Sequence, residues 1–334
     1  MPSDLLNTFR ISIEDFYRSN KRSMPWRKQN PVPYEVWLSE VILQQTRVAQ
    51  GIPYFNKILQ AFPTIEDLAN ANEDHLLSLW TGLGYYNRAR NLQKGAQQVM
   101  RNHKGELPKS SVDLIKITGI GPYTAAAISS ICHGEKIGVV DGNVFRVLSR
   151  FFGVSTPVNT TAGLKEFQLL ANEIVHLSNS SAGYNQGIME FGALHCTPKK
   201  PLCMMCELAD ICTAYNSGKV DVLPVKKKTA KRTTEEIHFA VVTSENEIAM
   251  SKRGTKGIWA GLYEFPRLEK PPVKGFEAVD KIVHKLSHKD LHCHFWEVTE
   301  NEMNESLTYY SKPEIRNLGM PIIIAKFVEK IGFQ

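Results

Sequence analysis

Apolar residues recur at helical spacing over roughly the first two hundred positions, and beyond about position 235 that period gives way to alternation. Leu5, Leu6, Phe9, Ile13, Phe16 and Tyr17 mark an amphipathic first helix. Residues 33–50, PYEVWLSEVILQQTRVAQ, read as a second helix crowded with Val36, Trp37, Leu38, Val41, Ile42 and Leu43. Further helices are expected over 54–62, 65–69, 73–80 and 88–102, with Pro63-Thr64 and Asn72 as start signals. Leu114, Ile115 and Ile117 end another helix, Gly119-Ile120-Gly121 forms a tight turn, and Pro122 opens a small apolar helix running to Ile131. After 235, IHFAVVTSENEIAMSKR reads as two strands about a polar turn, KIVHKLSHKDLHCHFWEVT adds strands, and a helix over 322–331 closes the chain. The pattern predicts a mainly α region followed by a smaller α/β domain.

Several polar residues interrupt this pattern in ways that carry chemistry. Glu40 sits in the middle of the apolar run of the second helix, with Val36, Trp37, Leu43 and Gln44 on its side of the helical repeat. Burial there would raise its pKa, as a general acid working near neutral pH requires, whereas a lone glutamate on a half-buried helix usually points outward. Gln44, Gln45, Thr46 and Arg47 form a polar patch suited to bases or phosphates, or simply a solvated helix end. Gly119 and Gly121 permit unusual backbone conformations and leave N–H groups uncovered at a helix start, which is a natural phosphate site. A second turn then delivers Asp141 between Val140 and Gly142. In GLGYYNRARNL, the glycines, Tyr85, Tyr86 and the arginines suit either a loop that probes a DNA strand or ordinary core packing. Trp26 and Arg27, after Pro25, fit a structural corner or the wall of a base pocket.

Charge and cysteine usage narrow the picture. The chain has 334 residues and a formal net charge of +6, which permits an anionic partner without proving one. Its length favours two domains. No apolar run is long enough to span a bilayer, and the N-terminus lacks a signal pattern, so a reducing cytosol is expected. Cys196, Cys203, Cys206 and Cys212 crowd one short segment, which points to metal rather than disulfides; the spacing leaves zinc and iron–sulfur both open. Residues 217–235 are a basic linker. Alternation on a strand pair accounts for His284, His288, His292 and His294 more simply than a metal site does.

SEVILQQTRV, GLGYYNRARNL, GIGPYTAAA, VVDGNVFRVLSR and the four-cysteine loop occur in that order. Together they resemble the MutY-type adenine DNA glycosylases of the helix-hairpin-helix superfamily, densely over about 20–225 and more loosely beyond. The resemblance implies a base-excision repair enzyme that flips adenine out of double-stranded DNA, where it is mispaired with 8-oxoguanine or guanine, and hydrolyses its N-glycosidic bond. It implies Glu40 as the acid that protonates N7 of adenine and Asp141 as the carboxylate that stabilises the oxocarbenium-like sugar. Tyr123 and Asn143 are then the groups around the reacting nucleotide, Gln44 contacts the DNA, Gln45 and Tyr85 probe the stack, and Trp26, Arg27 and Gln186 line the base pocket. One [4Fe–4S] cluster is implied on Cys196, Cys203, Cys206 and Cys212. The implied organisation is a catalytic domain over 1–216, the linker, and a Nudix-like lesion-recognition domain over 236–334. Ser287 and His288 match its recognition loop, whose aromatic first position is Leu286 here. No Nudix glutamate cluster is present, so this domain is expected to bind and not to hydrolyse. Tyr123 stands where bifunctional relatives carry a lysine, and a phenol forms no Schiff base, so a monofunctional enzyme is expected. A pyrimidine-specific relative and a DNA-binding module without catalysis are the alternatives; Tyr123 and the C-terminal domain argue against the first, and the presence of both Glu40 and Asp141 against the second. The expected setting is a monomer in a bacterial cytoplasm, at the nucleoid.

Overall fold

The computed structural model describes residues 2–227, 232–272, 278–286, 289–303 and 306–333. The chain divides into two compact units. The first comprises Met1–Leu59, Thr64–Ala69 and Lys94–Lys228; the second comprises Gln60–Pro63, Asn70–Gln93 and Thr229–Gln334. Packing thus does not follow the order of the chain, because residues 70–93 belong with the strand-rich C-terminal unit.

Helices α1 (Ser3–Asn20), α2 (Pro33–Leu43), α3 (Val48–Ala61), α4 (Ile65–Asn70), α5 (Glu73–Trp80) and α6 (Asn87–His103) come first. They are followed by α7 (Ser111–Leu114), α8 (Pro122–His133), α9 (Gly142–Phe152), α10 (Thr161–His176) and α11 (Ser181–Leu194). Side-chain caps start several of them: Asn72, Ser110, Thr160 and Ser180 each accept a backbone N–H from the first turn that follows. The core of the first unit gathers Phe9 and Ile13 of α1, Val147 and Phe151 of α9, Phe167 and Ile174 of α10, and Tyr184 and Ile188 of α11. Helix α2 is buried without a break from Tyr34 to Ile42, so it has almost no solvent face.

The sequence reading of one helix over 33–50 is corrected here. Helix α2 ends at Leu43, where the apolar run ends; Gln44 is non-helical and Gln45 has a φ of 59° before α3 begins at Val48. Gln44 to Arg47 supply no apolar side chains to bury, so nothing holds that stretch helical. In the hairpin before α8, only Gly119, at φ 84°, needs glycine for its backbone. Gly121 caps α8 at φ −88°, open to any residue, and an added Cβ would meet nothing within 4 Å. The second glycine leaves space, not a special conformation.

In the second unit, a four-stranded sheet runs in the order Arg267–Leu268, Thr233–Val241, Lys289–Glu297, Asp280–Lys285. The central pair is parallel, with Phe239 opposite Phe295, and both flanking pairs are antiparallel. The helix Ile322–Lys330 covers the inner face, stacking Phe327 on Phe295 with centroids 4.0 Å apart. The strand alternation expected for the histidines holds for His292 and His294, which share a face with His238 and Glu236, while His284 lies opposite Leu291 on the inward face. His288 lies outside the described residues. The loop between α5 and α6 is tied into this unit by Tyr86, whose hydroxyl donates to the Met320 carbonyl at 2.6 Å, and by Arg90, which donates to the carbonyl of Ala260. Among the described residues, no helix is long and apolar enough to cross a membrane.

The hairpin rests on α6 through Gly95, where an added Cβ would stand 2.6 Å from the Thr118 carbonyl and 2.9 Å from the Trp37 ring. Gly95→Ala is expected to destabilise the fold by about 1–3 kcal/mol through overpacking, read as a lower urea midpoint at unchanged slope.

Candidate active site

A cavity of about 550 Å3 opens in the first unit, lined by α2, the turn after it, the starts of α8 and α9, and α11. That is the size of a small-ligand site. Nine of the residues singled out in the sequence meet there: Trp26, Arg27, Glu40, Gln44, Gln45, Tyr123, Asp141, Asn143 and Gln186.

Glu40 points inward, which settles the alternative left open by its helix. It is 8 % exposed. Burial lifts its pKa to about 7, a hydrogen bond from Tyr123 opposes that rise, and the nearby Asp141 adds to it. The Tyr123 hydroxyl donates to Glu40 Oε2 at 2.7 Å and lies 3.3 Å from Met189 Sδ. Burial, and then the charges of Glu40 and Asp141, push the phenol well above its ordinary pKa, so it stays a neutral donor. The Glu40 side chain lines the cavity, with Oε2 taken by Tyr123.

Asp141 is the N-cap of α9. Its Oδ1 accepts the amides of Asn143 and Val144 at 2.9 and 2.8 Å, and its Oδ2 accepts from Asn143 Nδ2 at 2.8 Å. Burial raises its pKa, and those donors together with the Arg146 charge pull it back. Arg146 then donates to Asn143 Oδ1 at 2.9 Å, to the Gly192 carbonyl at 2.7 Å and to the Cys196 carbonyl at 2.8 Å. One turn further along α9, Arg150 donates to the carbonyls of Thr197 and Pro198 at 2.7 and 3.1 Å and approaches Cys196 Sγ at 3.5 Å.

On the opposite wall, Arg27 donates to Glu190 Oε2 at 2.9 Å and lies over the Tyr17 ring, while Arg22 donates to Glu190 Oε1 at 2.7 Å. Burial disfavours the Glu190 charge, but the two arginines more than offset it and hold the carboxyl at about 2. Trp26 is buried edge-on against Phe55. Sequence reading missed Glu190, Arg22 and Arg146. Glu190 follows Gln186 by one helical turn on α11, so i, i+4 spacing carried a signal for it; the two arginines gave none.

The remaining candidates lie elsewhere. Gly119 and Gly121 stand in the hairpin turn and do not line this cavity. Tyr85, 49 % exposed at φ 49°, borders a cavity of about 770 Å3 within the second unit, with Trp259, His284 and Leu286. Its neighbour Tyr86 is core, and Arg88 is largely buried, donating to the carbonyls of Leu83 and Gly84, so that loop mixes both expected behaviours. Ser287 and His288 lie outside the described residues.

Cys196, Cys203, Cys206 and Cys212 line a single cavity together with Arg150 and His195. Among the described residues, no three His, Cys, Asp or Glu side chains converge on a single-ion position. Four soft thiolate donors with a buried guanidinium beside one of them suit a negatively charged iron–sulfur cluster.

Residues 38–170 match the HhH-GPD superfamily base excision DNA repair protein model, residues 196–212 the iron–sulfur binding domain of endonuclease III, and residues 237–330 the NUDIX domain. The adenine DNA glycosylase of Buchnera aphidicola subsp. Schizaphis graminum is 32 % identical, over 95 % of this chain and 96 % of its own. The Homo sapiens adenine DNA glycosylase is 33 % identical over 80 % of this chain and 58 % of its own. Among solved structures, a thermostable thymine-DNA glycosylase superposes with a TM-score of 0.59 at 27 % identity, covering 64 % of this chain and 98 % of its own.

Because the folded-state pKa of Glu40 is raised, the stability it contributes is fully present below about 4.5 and is lost as pH rises through about 7. Glu40→Gln keeps the shape without the charge, so it is expected to melt at a higher temperature than the parent at about pH 8, with the difference closing at about pH 5. Gly192→Ala would put a Cβ 2.7 Å from that of Asn143. It is expected to cost about 1–3 kcal/mol and to slow base release in single-turnover assays by displacing the group that holds Asp141.

Proposed function

This chain belongs to the adenine DNA glycosylases of the HhH-GPD base-excision repair superfamily, and we propose that its substrate is adenine mispaired with 8-oxoguanine, or with guanine. The observation that carries the chemical reading is Glu40: a buried carboxyl with a pKa of about 7, steadied by Tyr123, across one cavity from Asp141.

The glycosidic bond of a stacked base is out of reach in a duplex, so the nucleotide must be turned out into the cavity. Glu40 carries its proton near neutral pH; Tyr123 occupies Oε2, so the proton sits on Oε1 and passes to N7 of the base. Bond cleavage sends the electron pair to the base and leaves positive charge on the sugar. Asp141 faces that charge, fixed by the two amides and the Asn143 side chain, and stabilises it directly or as a transient ester until water adds at the anomeric carbon. Arg27, Gln186 and Trp26 supply polar and flat surfaces for the base, with the Arg22–Glu190–Arg27 network holding Arg27 in place. Tyr123 cannot form an imine, so the enzyme releases the base without cutting the strand.

The hairpin at Gly119 and Gly121 and the start of α8 receive a DNA phosphate. Gln44 contacts the strand beside the cavity. Gln45 and Tyr85, both exposed and both at positive φ, probe the stack. Residues 1–216 carry the catalytic domain, although 60–63 and 70–93 pack with the C-terminal unit; 217–235 is the linker and 236–334 the lesion-recognition domain, with Ser287 and His288 contacting the damaged base. Cys196, Cys203, Cys206 and Cys212 would hold one [4Fe–4S] cluster, which cross-links their loop when bound. The protein acts as a monomer on DNA, at the nucleoid of a bacterial cytoplasm.

Single-turnover base release tests this on duplexes carrying adenine opposite 8-oxoguanine, adenine opposite guanine, or thymine glycol. Release is expected from the first two only, falling about tenfold per pH unit above about pH 7 as Glu40 loses its proton. Glu40→Gln is expected to lose at least about 100-fold in rate. Wild-type rates in that variant, release of thymine glycol, or efficient borohydride trapping through a protein lysine would contradict the mechanism.

A further inference from the structure

The residue before the first cluster cysteine is a histidine with one unanswered nitrogen. The His195 ring stacks on Phe191, with centroids 5.0 Å apart and planes 24° from parallel, and meets Phe16 edge-on at 5.8 Å. Its main chain is fixed as well: the N–H donates to the Phe191 carbonyl at 2.9 Å, and its own carbonyl accepts the Leu202 amide at 3.1 Å. Nε2 is shut off from solvent and has no hydrogen-bond partner among the described residues. His195 lines the cavity ringed by the four cysteines and Arg150. Other buried polar atoms lack partners, including Tyr184 Oη and Trp37 Nε1, but among the described residues His195 alone combines such an atom with a place in this cavity.

An unpaired buried donor is destabilising. A ring packed against two phenylalanines with its donor position empty is arranged for an acceptor that the polypeptide does not supply. The sulfurs of an iron–sulfur cluster are acceptors of this kind, and hydrogen bonds to them help set its potential. We propose that His195, as a neutral Nε2–H donor, hydrogen-bonds a sulfur of the cluster held by Cys196, Cys203, Cys206 and Cys212. The inference rests on the iron–sulfur reading of that loop. Reduction adds negative charge that the sulfurs share, so a donor there favours the reduced form. Arg150, 3.5 Å from Cys196 Sγ, already serves one thiolate; His195 adds a second, uncharged donor from α11.

The test uses the purified holoenzyme, with iron and visible absorption measured first. His195→Leu removes the donor, and His195→Gln restores a shorter one. At a fixed applied potential, the leucine variant is expected to hold as much iron as the parent with a several-fold lower ratio of reduced to oxidised cluster, and the glutamine variant to fall between. In wild-type protein grown with nitrogen-15 histidine, pulsed EPR of the paramagnetic cluster is expected to show a nitrogen coupling that His195→Leu abolishes. An unchanged ratio in a fully loaded leucine variant, with no histidine coupling in the wild type, overturns the proposal. If the leucine variant assembles no cluster, the wild-type coupling decides alone, its presence supporting the bond and its absence refuting it. Purified protein without iron or visible absorption would overturn the cluster assignment itself, and this inference with it.

Discussion

The 2.7 Å hydrogen bond from Tyr123 to Glu40 is the contact on which the catalytic side of the molecule turns. Helix α2 is buried along nearly its whole length, and a carboxyl placed in its middle must either lose its proton at a high cost or keep it. Burial keeps Glu40 an acid near neutral pH, and the phenol, a partner that brings no charge, offsets that only in part. Tyr123 also lies in the first turn of α8, two residues beyond Gly121. The position of the acid is therefore set from the hairpin turn at Gly119 and Gly121.

Asp141 is held by a different device. As the cap of α9 it draws on backbone amides that the helix would otherwise leave unpaired, so its orientation follows from the start of the helix. Arg146 and Arg150 continue that control along α9 and end on carbonyls of the cysteine loop. Whatever orders that loop thus orders the helix that carries the carboxylate. The order of the cysteine loop is in this way coupled to the orientation of Asp141.

The motifs and the helical core could be read from the sequence because periodic apolar positions and turn residues are local signals. Helix α8 begins at Pro122 as its sequence predicts, and the strand pair 280–285 and 289–297 follows its alternation. The break after Leu43 was hidden because glutamine, threonine and arginine all tolerate helix, and only the loss of something to bury ends it. The inward direction of Glu40 was equally hidden, since a helix buried on every side has no polar face from which to argue. Glu190 needed two arginines far away in the sequence to make sense, and no local pattern joins position 22 to position 190. The packing of residues 70–93 with the C-terminal unit depends on contacts such as Tyr86 with Met320, which periodicity cannot show.

The fold alone does not choose the base. A glycosylase named for thymine shares the architecture of 64 % of this chain at 27 % identity, so within that part the choice of base must lie in side chains set on a common frame. Two kinds of position in this chain carry such freedom. One is the wall of the cavity, where Arg27 is immobilised by a carboxylate it shares with Arg22 and so presents a fixed edge to whatever enters. The other is the pair of exposed residues at positive φ, Gln45 and Tyr85. A non-glycine residue in that conformation stores on the order of 1–3 kcal/mol, and neither has core packing that repays it. Each projects outward from a rigid element: Gln45 from the end of α2, Tyr85 from a loop pinned by Arg88. Strain kept at an exposed tip is what the proposed probing of the DNA stack by these two residues requires.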